Sequence, residues 1–462
     1  MKPLRIPDVH DALPTSEQAI SGAGRILLPV FELLDRAGIP YCVQHGYESF
    51  PQEVSSDVDC IIAPLLTPAQ LYTLFARNLR GIGAEVVRMD GYRMVLAGRD
   101  ADASRCFLTL DLTTDCEIDG LLLCPGTALL AARHRYHQFW VASAALEFAC
   151  YFARTIAKGC LDARRAQRLQ SLYLCDPAGA YAQLARLWSP QTQKLIVSAA
   201  MCGDWEGMRR DLPALQVELR KHAIARYPLG FLRCRVRRMI DRSRRLCWPE
   251  GLNVVLLGPD GAGKSSIIDL LPAMLKDVFA RTVCLGFVPM FMLRLLHGAH
   301  RSTDRPHALP PRSALLSIVR AVLYWLPYYV LGYPLRWVAM ARATLVLYDR
   351  HFVDVLVDPR RYRYGGPAWL LRLVWWLIPK PDLVILLDAP AEVLHARKRE
   401  VALAETAQQR LAYRELVCSL PMGCVINTDR PLEDALAEVS EIILQHLAQR
   451  LERRHRAVHS RN

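Results

Sequence analysis

The residues with the clearest chemical purpose lie beyond the middle of the chain. Gly258 to Ser265 reads GPDGAGKS, two glycines five apart followed by Lys and Ser, after the apolar run NVVLL and before the apolar helical run IIDLL. Glycines let consecutive backbone N–H groups turn toward phosphate oxygens. Lys264 would neutralise the β and γ phosphates, and the Ser265 hydroxyl would ligate magnesium. The spacing therefore predicts an ATP and Mg2+ site built from Gly258, Asp260, Gly261, Ala262, Gly263, Lys264, Ser265 and Ser266.

Other charged residues extend that chemistry. Asp349 closes the strand-like run ATLVLYD, where a carboxylate would face the crevice and hold magnesium or its water. Arg350 beside it would grip an acceptor phosphate. Arg397, Lys398 and Arg399 form a basic triplet able to counter charge on a transferring phosphoryl group, with Arg397 and Arg399 the expected catalytic pair. His297, His300 and His307 are loosely spaced and show no metal-ligand pattern.

A second cluster sits near the N-terminus. Asp57 and Asp59 alternate in DVDCII, which places both carboxylates on one face of a strand. Their mutual repulsion predicts a divalent cation between them, with Asp111 of FLTLDLTTD as a third oxygen ligand.

Positioning these groups requires two architectures. Residues 1–125 mix helical spacing, as in GRILLPVFELLDRAG, with short strands, and predict an α+β domain. Residues 126–231 are rich in Ala, Leu and Arg and predict a helical accessory domain nearly free of strands. Residues 232–250 form a basic helix or linker; LRCRVRRMIDRSRRLCWPEG carries seven arginines. Residues 251–462 alternate apolar strands and helices, which predicts an α/β, doubly wound parallel sheet. PLEDALAEVSEIILQHLAQRL closes that unit with Leu432, Leu436, Val439, Ile443 and Leu447 on one stripe, and a basic tail expected to fray after Leu451.

In its wording, GPDGAGKSS resembles the phosphate loop of the thymidylate kinase family. LVLYDRHF and PKPDLVILLDAPAEVLHARKRE, with Asp388 at a strand end, are similar to that family's later strands and basic lid. The resemblance implies a P-loop kinase with ATP and magnesium as cofactors. It weakens after TVCLGFVP, where MFMLRLLHGAHRSTDRPHALPPRS stands in place of the family's Glu-Pro-Gly-Gly type of segment. The implied phosphoryl acceptor is therefore open and need not be thymidylate. The first half resembles the nucleotidyltransferase superfamily, with Gly46 at the turn before the Asp-x-Asp pair and Tyr47 in place of the usual Ser. Lys158, after the helix beginning near Val141, is expected at the surface.

Composition narrows the partners. Fifty-two per cent apolar residues exclude a disordered chain, and a net charge of +13 favours anionic partners. These are nucleotides or an anionic membrane surface reached through the arginine-rich linker and the aromatic run AVLYWLPYYVLGYPL, rather than a specific nucleic acid. Fourteen cysteines without a Cys-x-x-Cys pair predict reduced thiols, and MKPLRIPDVHDALPTSEQ lacks a signal-peptide core. A cytoplasmic protein, peripheral to the membrane at most, is expected; oligomerisation is open. A nucleotide-driven switch or scaffold without a small-molecule acceptor is the alternative function.

Overall fold

The computed structural model describes residues 20–54, 57–286, 310–326, 333–398 and 402–459. The chain divides into two compact units, Met1–Glu85 with Leu96–Phe231, and Val86–Val95 with Leu232–Asn462.

In the first unit the helix Gly22–Arg36 starts at a Ser21 cap, whose Oγ accepts the Gly24 N–H. Ile26, Val30, Phe31 and Leu34 are buried at helical spacing. Five of the seven strands of its sheet, β1 (Tyr41–Val43), β2 (Asp57–Ile62), β3 (Arg105–Thr113), β6 (His134–Tyr136) and β7 (Phe139–Val141), lie in the order β3-β2-β1-β7-β6. The sheet is mixed: β1 runs antiparallel to β2, whereas β2 and β3 are parallel with Asp59 opposite Asp111. A separate hairpin joins β4 (Cys116–Ile118) and β5 (Leu121–Cys124). The three-residue β6 and β7 lie inside the region expected to be helical, because strands that short carry no readable alternation.

Helices dominate after residue 144. Phe148, Phe152 and Ile156 of the helix Ala144–Lys158 are fully buried among Leu169, Trp188 and Ile196. Each such side chain contributes about 1.5–3 kcal/mol on burial. Glu147 interrupts this apolar face. Its carboxylate is fully enclosed and is held by Arg168 of the helix Ala163–Cys175 and by the Tyr47 hydroxyl, 2.8 Å away. Burial raises its pKa against the pull of Arg168.

The second unit contains five parallel strands: β8 (Leu252–Leu257), β9 (Arg281–Leu285), β10 (Thr344–Tyr348), β11 (Leu383–Asp388) and β12 (Gly423–Asn427). Their order is β9-β10-β8-β11-β12. Every residue of β8, β10 and β11 is buried, which explains their unbroken apolar sequences. The chain leaves β8 toward one side of the sheet and later returns to the other, so the C-terminal end of β8 is a topological switch point. The last helix runs from Leu432 to His459, continuing past Leu451 where fraying was expected. Glu452 and Arg456, four residues apart and 2.7 Å from contact oxygen to nitrogen, support the extra turns.

The arginine-rich stretch is helical, within Pro228–Cys247. Six residues of the aromatic run, 327–332, and the three histidines lie outside the described residues; the flanks of the run are the helices Ala314–Leu326 and Tyr333–Ala341. Among the described residues no helix is long and apolar enough to cross a membrane.

Arg168→Ala would leave the Glu147 carboxylate buried without its cation. The expected loss at neutral pH is about 3 kcal/mol of stability, measured by urea unfolding; a loss below about 1 kcal/mol would mean that the pair behaves like a surface salt bridge.

Candidate active site

Local backbone geometry sets the phosphate loop. Gly258 has φ +150°, and a Cβ there would stand 2.6 Å from the Leu387 carbonyl oxygen of β11. Gly261 has φ +86°, and its Cβ would meet the Leu394 oxygen at 2.7 Å. No side chain fits at either position, so the loop packs directly against the end of β11 and against the helix Ala391–Arg397. Gly263, in the left-handed region, caps the helix Lys264–Met274, which buries Ile267, Ile268 and Leu271. Ser265 and Ser266 lie exposed in the first turn of this helix, whose free N–H groups are suited to an anion.

The expected site residues converge. A cavity of about 470 Å³ is lined by Asp260 to Ser266, by Asp349 and Arg350 at the end of β10, and by Arg397 and Lys398. Thr428 and Arg430, after β12, complete the same wall. Arg397 is oriented by donating from Nη2 to the Thr428 carbonyl at 2.9 Å. Arg399 lies outside the described residues.

Lys264 turns back onto its own loop, donating to the carbonyls of Gly258 at 2.6 Å and Pro259 at 2.9 Å. Burial lowers its pKa to about 8, with Asp260 pulling the other way. Asp260 is bound by Arg361 Nη1 at 2.7 Å and approached by Arg350 Nη2 at 3.6 Å. Burial opposes its ionisation, but Arg361, Lys264 and Arg350 hold its carboxyl down to about 2.

A second polar layer lies beneath. His351 N donates to Asp354 Oδ2 at 2.9 Å, and His351 Nδ1 accepts from Val353 N at 3.4 Å, a reciprocal cap on the helix Phe352–Val357. Tyr413 donates its hydroxyl to Asp354 Oδ1 at 2.7 Å. Burial lowers His351 to about 3, leaving it neutral, and raises Asp354. Asp388, at the end of β11, receives Arg410 at 2.7 and 3.1 Å in a bidentate pair, with Arg414 at 3.5 Å.

Sequence reasoning missed Arg361, Asp354, Arg410, Arg414, Thr428 and Arg430. Arg410 and Arg414 had a readable signal: they stand four apart in the helix Leu403–Ser419 and share one face. Arg361 sits in the turn PRRYRY, where no periodicity marks which arginine turns inward.

The acidic cluster of the first unit is differently balanced. Asp59 and Asp111 are neighbours across β2 and β3, and Asp57 is two residues along β2. Asp59 is paired with Arg154 Nη2 at 3.1 Å and with His45 Nε2 at 3.1 Å. Against the cost of burial, His45 and Arg154, with Lys158, bring its carboxyl to about 2. Arg154 therefore supplies a counter-charge to Asp59 where a metal ion was expected, and no group of three or more His, Cys, Asp and Glu among the described residues is arranged to hold one. Gly46 has φ +76° as a turn requires, while Tyr47 points away to Glu147. Lys158 is exposed at the end of its helix.

No protein-family model matches the sequence. Among solved structures, the chain is similar to thymidylate kinase from Candida albicans at 16% identity, over 43% of this chain and 93% of that one, with a TM-score of 0.32. It is similar to thymidylate kinase from Ehrlichia chaffeensis at 15% identity, over 42% of this chain and all of that one, with a TM-score of 0.31. At that identity and that score the likeness says nothing of chemistry, which the site's own residues must carry.

Proposed function

We propose that the second unit is a magnesium-dependent phosphotransferase that moves the terminal phosphoryl group of ATP to a small anionic acceptor. One observation carries this reading. A single cavity at the end of a parallel sheet gathers a phosphate loop, a strand-end carboxylate and arginines from three separate segments. A loop that bound nucleotide only for its own sake would not need Arg350, Arg397 and Arg430 on the same wall.

The residues present fit both cofactors. The glycine backbone leaves no side chain in the way of phosphate oxygens, and Lys264 presently bonds to carbonyls of its own loop, which anionic oxygens would replace. Ser265 and Asp349 line the same cavity and are the hard oxygen donors that magnesium prefers. Bound magnesium would neutralise charge on the nucleotide phosphates. Lys264 then holds the β and γ phosphates, while Arg397, fixed by the Thr428 carbonyl, faces the transferring group. Arg350, which lines the cavity, supplies fixed positive charge for the acceptor, while Arg361 holds Asp260. Positioning and charge do the work, since phosphoryl transfer asks for little covalent chemistry from the protein. To the first unit, where Asp59 is already neutralised, we assign no transfer chemistry.

Lys264→Ala should lower ATP-dependent turnover by about a hundredfold or more while the thermal unfolding profile stays that of the wild type. Turnover at the wild-type rate would defeat the donor-site assignment.

The depressed pKa of Lys264 yields a pH effect with a defined sign. Near pH 8 the free enzyme is about half protonated there, and a polyphosphate beside it favours the charged form. Nucleotide binding near pH 8 should therefore take up about half a proton, and less at lower pH where Lys264 is already charged. Calorimetry in two buffers of different ionisation enthalpy measures this uptake. Equal uptake by Lys264→Arg would assign the proton elsewhere.

A further inference from the structure

The helix Pro228–Cys247 has its faces reversed relative to an ordinary surface helix. Leu232, Val236, Met239, Ile240 and Leu246 are 47% to 68% exposed. At about 100° per residue they form one stripe roughly 120° wide. Cys234, the residue of this helix that is buried, stands on the opposite side, with half-buried Asp241 beside it. Arg244 borders one edge of the apolar stripe and Arg242 the other. Trp248, 59% exposed, follows directly.

We propose that this face docks on an anionic lipid bilayer, lying in the plane of the headgroups. The chemistry of both parts matches that one occupant. The stripe is wide enough to enter the acyl boundary but too polar at its edges to span it, and the flanking arginines meet lipid phosphates on either side. Indole is favoured at the same depth. A second copy of the chain is a poor fit, because Asp241 is the one acid between residues 228 and 248 and faces away from the stripe, so two such faces would bring arginine against arginine. This docking is independent of phosphoryl transfer, since the residues involved do not line the active-site cavity.

The test is co-sedimentation of the full chain with vesicles of phosphatidylglycerol and phosphatidylcholine in equal parts, beside vesicles of phosphatidylcholine alone. The mixed vesicles should bind the protein, with affinity falling as salt is raised, and the neutral vesicles should bind it far less. Met239→Asp with Ile240→Asp should weaken binding by about a hundredfold. Arg242→Gln with Arg244→Gln should weaken it about tenfold and flatten the salt dependence. Unchanged solution turnover would show that both variants are folded. The wild-type salt series stands without them. Absence of binding to the mixed vesicles, equal binding to both vesicle types, or a concentration-dependent dimer abolished by Met239→Asp with Ile240→Asp and no lipid binding would each overturn the proposal.

Discussion

The second unit's site depends on one steric constraint: the phosphate loop has no room for a side chain at Gly258 or Gly261. Because the loop backbone touches the carbonyl oxygens of Leu387 and Leu394, it is locked to the end of β11 and to the helix that follows. That contact brings Arg397 to the cavity containing Lys264. Strand β10, paired directly with β8, delivers Asp349 and Arg350 to the same rim. The site is thus a consequence of parallel strand ends meeting a backbone that can approach closely.

Charge is organised around three carboxylates near those strand ends, one in the phosphate loop, one in the helix Phe352–Val357 and one closing β11. Asp260 is held by Arg361 and Arg350, Asp388 by Arg410 and Arg414, and Asp354 by the cap on His351 and by Tyr413. Each carboxylate sits near a cation or a hydrogen-bond donor, which offsets the cost of removing it from water. The arginines are thereby held in place without a ligand, so an anion binding there would require less ordering of them.

What the sequence made legible follows the range of each interaction. The loop Gly258–Ser266 was readable because its chemistry is contiguous, and the strands β8, β10 and β11 because burial on both faces leaves unbroken apolar runs. Asp349, Arg350 and Arg397 were readable from their places after such strands. Arg361 was not, because its partner Asp260 is about a hundred positions away and nothing local selects it from its neighbours. Asp57, Asp59 and Asp111 show how spacing alone leaves out partners from other elements. Their spacing implied a repulsion that a metal would relieve, and Arg154, from another element, brings a counter-charge to Asp59 while His45 Nε2 contacts it at 3.1 Å. The arginine-rich helix was visible as charge, but which of its faces is exposed is a tertiary fact that no pattern of residues states.

The central claim is that this cavity transfers a phosphoryl group rather than merely holding a nucleotide. It is tested most directly by incubating the protein with magnesium and ATP labelled on its γ phosphate, against nucleotides, sugars and sugar phosphates. The expected result is label in one class of acceptor, lost in Asp349→Ala. Label released only as inorganic phosphate, at a rate indifferent to every acceptor, would contradict it.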